Sequence, residues 1–228
     1  MPLKRPLCLK RDLDMEGKSE RKYIDDLIRH TKESIRFFSN EMKAHRERSV
    51  CAALLRCLGV HFSSDEIQPN SNDPPDVFFR SARFEVIELY DKRRKRLDEY
   101  KGRLKELEKT KSISDTVVPY HPPKPISHQE LRDEIIRALD IKSQKYGKSL
   151  CSTLDVLVYV VLPNRFLDIR SPIPGYEELI NHGWRSVSFV IPPCSHVAFC
   201  EEIGPQFLAS LSGQTKQEWK DPDGFFDL

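Results

Sequence analysis

Asp76 and Glu85 are the residues of this chain whose surroundings most demand a chemical explanation. Pro75-Asp76 closes a polar loop and opens the apolar stretch Val77-Phe78-Phe79, and after a short connection the chain runs Phe84-Glu85-Val86-Ile87-Glu88. Residues two apart in a strand share a face, so Glu85 lies with Ile87 while Phe84, Val86 and Glu88 point the other way. A carboxylate among apolar neighbours needs a partner. If the two stretches form a hairpin, Asp76 comes beside Glu85, and two carboxylates so placed can share a divalent cation. Magnesium suits such hard oxygen ligands, taking one or two carboxylates and filling its remaining positions with water. A metal there could activate water and neutralise charge developing on a scissile phosphate. The same letters also admit plainer roles. Asp76 could be a turn aspartate bonded to its own backbone, and Glu85 could pair across the hairpin with Arg80 or Arg83.

Other chemistry in the sequence is sparse. Cys194, His196 and Cys200 offer three zinc ligands, but paired CxxC knuckles are missing and a strand of small and apolar residues accounts for the same letters. There is no GxSxG elbow and no GxGxxG or GxxxxGK[ST] phosphate loop. Lys92-Arg93-Arg94-Lys95-Arg96 is the densest basic run, open to reading as phosphate contact or as a solvated helix face. Trp184 and Tyr159, in apolar strands, read as core rather than as platforms for stacked bases.

The elements that must hold these residues follow from periodicity. Ile24, Ile28, Ile35, Phe38 and Met42, then Val50, Ala53, Leu54, Cys57 and Leu58, predict one long helix or two successive ones over 23–58, ended by Gly59. A short strand is expected at 60–62, an exposed loop at 63–75, and a hairpin with strands at 77–79 and 84–90. Leu97, Tyr100, Leu104 and Leu107 return to a helical period, with Asp91 as N-cap. Four prolines within 111–126 mark an extended connection. Ser127 and Glu130 form a capping-box pattern opening a helix whose stripe is Leu131, Ile135, Leu139 and Lys142, running to about Gly147. The nearly continuous apolar run 154–162 predicts a central strand buried on both faces. A short helix at 176–181, strands at 184–191 and 196–200 and a short helix at 205–211 complete an α/β sandwich with a mixed sheet.

Composition sets the bounds. The chain has 228 residues, 39% hydrophobic and 32% charged, with a formal net charge of +2. These values describe a globular protein without the basic excess of a strong nucleic-acid binder, so any nucleic-acid partner must be held locally. No apolar run approaches the roughly 20 residues of a membrane span, which argues against a membrane partner. No signal-peptide pattern is visible in 1–22, so a cytoplasmic location is expected. The six cysteines lack the spacing of a disulfide scaffold and read mostly as buried thiols. The expected organisation is a flexible segment 1–22, a single domain 23–212 and a tail 213–228.

Pro75-Asp76, a short turn and Phe84-Glu85-Val86-Ile87 resemble the PD-Xn-(D/E)-X-K motif of the restriction-endonuclease-like superfamily, with Ile87 where the lysine would stand. Glu47-Arg48, the run Leu54-Leu55-Arg56-Cys57-Leu58-Gly59-Val60 and Arg93-Arg94 onward to Tyr100 are similar to a bacterial family of uncharacterised predicted endonucleases within it. The resemblance covers most of 40–210. It implies a restriction-endonuclease-like mixed sheet flanked by helices, with an N-terminal helical extension, and Mg2+-dependent hydrolysis of phosphodiester bonds in DNA or RNA. By position, Asp76 and Glu85 inherit the metal-ligand roles, and Arg93 and Arg94 the nucleic-acid contact. The superfamily often adds a helix carboxylate, here Glu47, for which a rim glutamate paired with Arg46 or Arg48 is the plainer reading. An isoleucine cannot orient water or stabilise a charged transition state as the lysine amine does. Some members carry that amine on a neighbouring helix, and Lys101, between Leu97 and Leu104 on the apolar seam, is the substitute the sequence offers. Two alternatives remain open from the loss of the lysine and the near-neutral charge. One is a catalytically inactive nucleic-acid-binding module, the other a protein-interaction module.

Overall fold

The computed structural model describes residues 8–90, 95–117, 122–162, 164–168, 170–191 and 194–216, with side chains from Ser19 onward except that of Glu177. Contacts divide the chain into two compact units, Met1–Lys43 with Arg93–His121, and Ala44–Lys92 with Pro122–Leu228. Among the described residues no helix is long and apolar enough to cross a membrane.

The first unit is helical. α1 (Cys8–Phe37) begins well ahead of the apolar periodicity, and after a single 3-10 turn at Asn40–Met42 the chain enters α2 (Lys43–Cys57) of the second unit. The 23–58 stripe is thus two successive helices. Within the helical unit α1 meets α3 (Arg96–Leu107). Phe38 stacks on Tyr100 with centroids 5.4 Å apart, Arg96 lies over the Phe38 ring at 4.3 Å, and Lys32 reaches Glu108 at 3.6 Å.

The second unit is a mixed sheet with a helix against each face. Its strands are β1 (Ile67–Pro69), β2 (Val77–Phe79) and β3 (Ala82–Tyr90), followed by β4 (Lys124–Ile126), β5 (Asp155–Val161) and β6 (Arg165–Leu167), then β7 (Ser186–Ile191), β8 (Cys194–Cys200) and β9 (Gln214–Lys216). Seven of them form one sheet in the order β1-β2-β3-β5-β7-β8-β9, parallel through β3, β5 and β7 and antiparallel outside, while β4 and β6 pair separately. Alternation along the strands builds two cores. Phe84, Val86 and Leu157 pack with the α2 residues Val50, Leu54 and Leu55. Ile87, Val156 and Val158 pack with Leu131, Ile135 and Leu139 of α4 (His128–Tyr146). Each such buried aliphatic side chain contributes about 1.5–3 kcal/mol of transfer free energy. The helix α4 opens on the expected capping box, in which Glu130 accepts from the Ser127 amide at 2.8 Å and Ser127 Oγ accepts from the Glu130 amide at 3.2 Å.

The strand expected at 60–62 is not one. Val60 and Phe62 cover the α2-side core from a loop, with Phe62 edge-on to Phe79 at 6.4 Å, so their apolar letters reflect burial without a ladder. The strand forms later, at β1, where Arg48 donates to the carbonyls of Ile67 at 2.9 Å and Ser64 at 2.7 Å. β4 lies inside the proline-rich connection, and β9 forms within 213–228 by pairing with β8.

Candidate metal centre at the Asp76–Glu85 hairpin

The β2–β3 hairpin turns through Arg80 and Ser81, with Arg80 at φ 51° and Val77 paired to Phe84. Just before β2, the Asp76 amide donates to Phe84 O at 2.9 Å, and Asp76 Oδ2 accepts from the Val86 amide at 2.9 Å. The side chain thus supplies the acceptor that the backbone ceases to offer where β2 begins. This holds the carboxylate on β3 at 3% exposure. The loop behind it is shaped by Asn70, whose Nδ2 donates to Asn72 O at 2.7 Å and Pro75 O at 2.9 Å. That turn carries the exposed Asp73 toward the hairpin.

Glu85 is completely buried in β3, the strand between β2 and β5. Its face is that of Ile87, which looks onto α4. There, Lys142 Nζ bonds Glu85 Oε1 and the Tyr146 hydroxyl donates to the same oxygen at 2.9 Å. Tyr146 is one turn beyond Lys142, so the two groups reach the strand side by side. Its ring is braced edge-on against the buried Trp184, centroids 6.2 Å apart. Glu85 Oε2 is buried without a hydrogen-bond partner among the described residues.

Burial pushes the Glu85 carboxyl above the usual glutamate range and the Asp76 charge adds to this, while the Lys142 and Tyr146 bonds pull it back in part. Burial, and then the Glu85 charge, push the Tyr146 phenol well above its ordinary range, so it remains a donor. That single hydroxyl is also 3.4 Å from Asp73 Oδ1 and can donate to only one carboxylate at a time.

Ligand oxygens of Asp73, Asp76 and Glu85 all lie within 4.8 Å of one another. Three hard oxygen donors, one of them belonging to a buried carboxylate with an orphan oxygen, fit a magnesium-type ion better than a softer metal. A buried, unpaired carboxylate oxygen is otherwise expensive.

Asp76 and Glu85 therefore come together as the hairpin required. Glu47 is half-buried on α2 and is not one of the three acidic residues that converge. Lys101 is exposed on α3 in the helical unit, and the amine bonded to Glu85 is that of Lys142. Arg93 and Arg94 lie outside the described residues. Ile87, 7% exposed, is packed into the α4-side core. The plainer pairing with Arg80 goes elsewhere, since Arg80 binds Glu66 at 3.1 Å, and the groups bonded to Glu85 are Lys142 and Tyr146. Glu88, on the opposite strand face, meets Arg46 at 3.9 Å. The possible zinc trio is divided by a β-bulge opposite Val187–Ser188, which sends Cys200 to the α2-side core while His196 lies against Tyr176 and Phe189.

Asp73, Lys142 and Tyr146 are not among the site residues that the sequence singles out. Lys142 did carry a signal, because a lysine completed the stripe Leu131, Ile135, Leu139 at a position facing the core. Nothing in the loop letters singled out Asp73.

Comparison with known proteins bears on this geometry. A family model described as "Putative endonuclease, protein of unknown function (DUF1780)" matches residues 19–219. No curated protein matches the chain. Among solved structures, a protein of unknown function from Pseudomonas aeruginosa strain PAO1, described as Monooxygenase Superfamily, is 28% identical with a TM-score of 0.62, over 86% of this chain and 94% of that one. Since the family model spans most of its length, the chain belongs to the DUF1780 family so described.

Proposed function

We propose that this protein is a metal-dependent nuclease of the PD-(D/E)XK type, hydrolysing phosphodiester bonds with Asp76, Glu85 and Asp73 as magnesium ligands and Lys142 as the catalytic amine. The observation that carries the reading is Lys142 Nζ on Glu85. The amine that the motif places two residues after the glutamate, at Ile87, is supplied to that same glutamate from α4. Magnesium bound at the carboxylates would supply an activated water and a counter-charge for the phosphate. Asp76, fixed by the Val86 amide, and Glu85, fixed by Tyr146, are held in place by the fold before any ion arrives. Lys142, with 29% of its side chain exposed, can reach a phosphate at the mouth of the site and offset negative charge developing there. The description of the Pseudomonas protein as a monooxygenase relative does not account for this set of groups. Acid, amine and phenol carry hydrolytic and hard-cation chemistry, and of these the hydrolytic part agrees with the family description.

The test is cleavage of plasmid DNA and of structured RNA with and without Mg2+, comparing wild type with Asp76→Asn and Glu85→Gln. Magnesium-dependent cleavage lost in both folded variants is the expected result. Equal cleavage by all three would assign the activity elsewhere. Nucleic-acid binding that survives chelation, with no cleavage under any metal, would instead establish an inactive binding module built on the same fold.

A further inference from the structure

We propose that Lys142 is a cation this site holds at rest, and that its positive charge sets how tightly a divalent ion can bind. The inference rests on the metal-site reading above and adds a mode of regulation to it. Asp76 and Glu85 are 3% and 0% exposed, so neither carboxylate can turn away to water. Lys142 is the mobile member of the group. It has a flexible four-carbon stem and is 29% exposed at the side chain, whereas the Glu85 side chain is 0% exposed. The ammonium sits on Glu85 Oε1 together with the Tyr146 hydroxyl, leaving Oε2 without a partner.

Two placements of a divalent ion are then open, and both meet the same opposition. At Oε1 the ion must displace the ammonium. At the orphan Oε2 it binds the same carboxylate as the ammonium, with like charges a few ångströms apart in a poorly screened setting. Either way the amine lowers metal affinity. Because that amine also serves cleavage in the proposed reaction, the two roles of Lys142 are opposed. Neutralising it tightens the ion and slows the chemistry. Tyr146 is neutral, and its hydroxyl can rotate toward Asp73, 3.4 Å away. It does not share the opposition.

The experiment is isothermal titration of the full-length protein with Mn2+, comparing wild type with Lys142→Met, Lys142→Gln and Lys142→Arg, each checked for folding by near-ultraviolet circular dichroism. Glutamine keeps a hydrogen bond to Glu85 and guards against misfolding of the methionine variant. Both neutral variants are expected to bind Mn2+ at least about tenfold more tightly, in line with removal of a nearby like charge, and Lys142→Arg to bind as wild type does. Equal or weaker binding in the folded neutral variants overturns the proposal while leaving the metal site standing. A wild type that binds Mn2+ no better than Asp76→Asn overturns the metal-site reading and this proposal together.

Discussion

Two buried carboxylates stand on neighbouring strands of the same sheet, and they are furnished in opposite ways. Asp155, at the start of β5, is fully buried with both oxygens occupied. Oδ1 accepts from Arg185 Nε at 3.1 Å and Ser186 Oγ at 2.8 Å, while Oδ2 accepts from the Arg83 amide at 2.8 Å and from Arg185 Nη2. It ties β3, β5 and β7 together at one end of the parallel core. Glu85, on β3 beside Val156, is equally buried but has one crowded oxygen and one bare one. Its acidic neighbour Asp76 adds charge where Asp155 has only donors. A satisfied buried charge is a structural staple, whereas an under-satisfied one beside a second carboxylate is where the proposed cation would be held.

The contrast is sharpest in activity. Asp76→Asn and Glu85→Gln should each lower magnesium-dependent cleavage by about a thousandfold or more, measured on folded protein. Asp155→Asn should leave cleavage per folded molecule within a few-fold of wild type. If Asp155→Asn were as damaging as Glu85→Gln in an intact fold, the two carboxylates would not differ in kind.

Stability should run the other way. Asp155→Ala leaves the Arg185 guanidinium facing a buried gap and should cost about 3–5 kcal/mol in urea denaturation. Glu85→Gln should cost much less, since a neutral side chain removes charge from a site that holds too much of it.

The pH dependence follows from the raised Glu85 carboxyl. In the metal-free protein the folded chain keeps a proton there that the unfolded chain has already released. That stability is full below the ordinary glutamate range and is lost as pH rises through Glu85's own higher value. Wild type should therefore lose stability relative to Glu85→Gln as pH is raised upward from the ordinary glutamate range. A difference that stayed flat or grew in the wild type's favour would mean that Lys142 dominates the site.

The smallest effect belongs to Tyr146. Removing its hydroxyl in Tyr146→Phe deletes one hydrogen bond to a charged acceptor and should cost about 1–2 kcal/mol. The ring remains braced on Trp184.

What the letters disclosed divides along the same line as these residues. The β2–β3 hairpin, the capped α4 and the apolar β5 are written in local patterns, and they form close to where periodicity and turn residues place them. Glu85 stood out because a charge within an apolar strand breaks its pattern. β4 and β6 are three-residue strands made by pairing with distant chain, Lys124–Ile126 with Arg165–Leu167, so local propensity carries little of them. The amine was legible only by half. Lys142 ended an apolar stripe, but the carboxylate it meets lies on a strand 57 positions away. The sequence favoured Lys101 because it read the seam of the nearer helix. Asp73 is set by the local turn that Asn70 closes on Asn72 and Pro75, but its nearness to Glu85 exists only once β3 lies beside that loop.

The most direct measurement is an anomalous difference map from crystals of the wild-type protein soaked in Mn2+. A peak is expected among the Asp73, Asp76 and Glu85 carboxylates, with metal–oxygen distances of about 2.1 Å, lost in Asp76→Asn. A clean map at these residues under saturating Mn2+, with Lys142 still seated on Glu85, would contradict the metal-site reading.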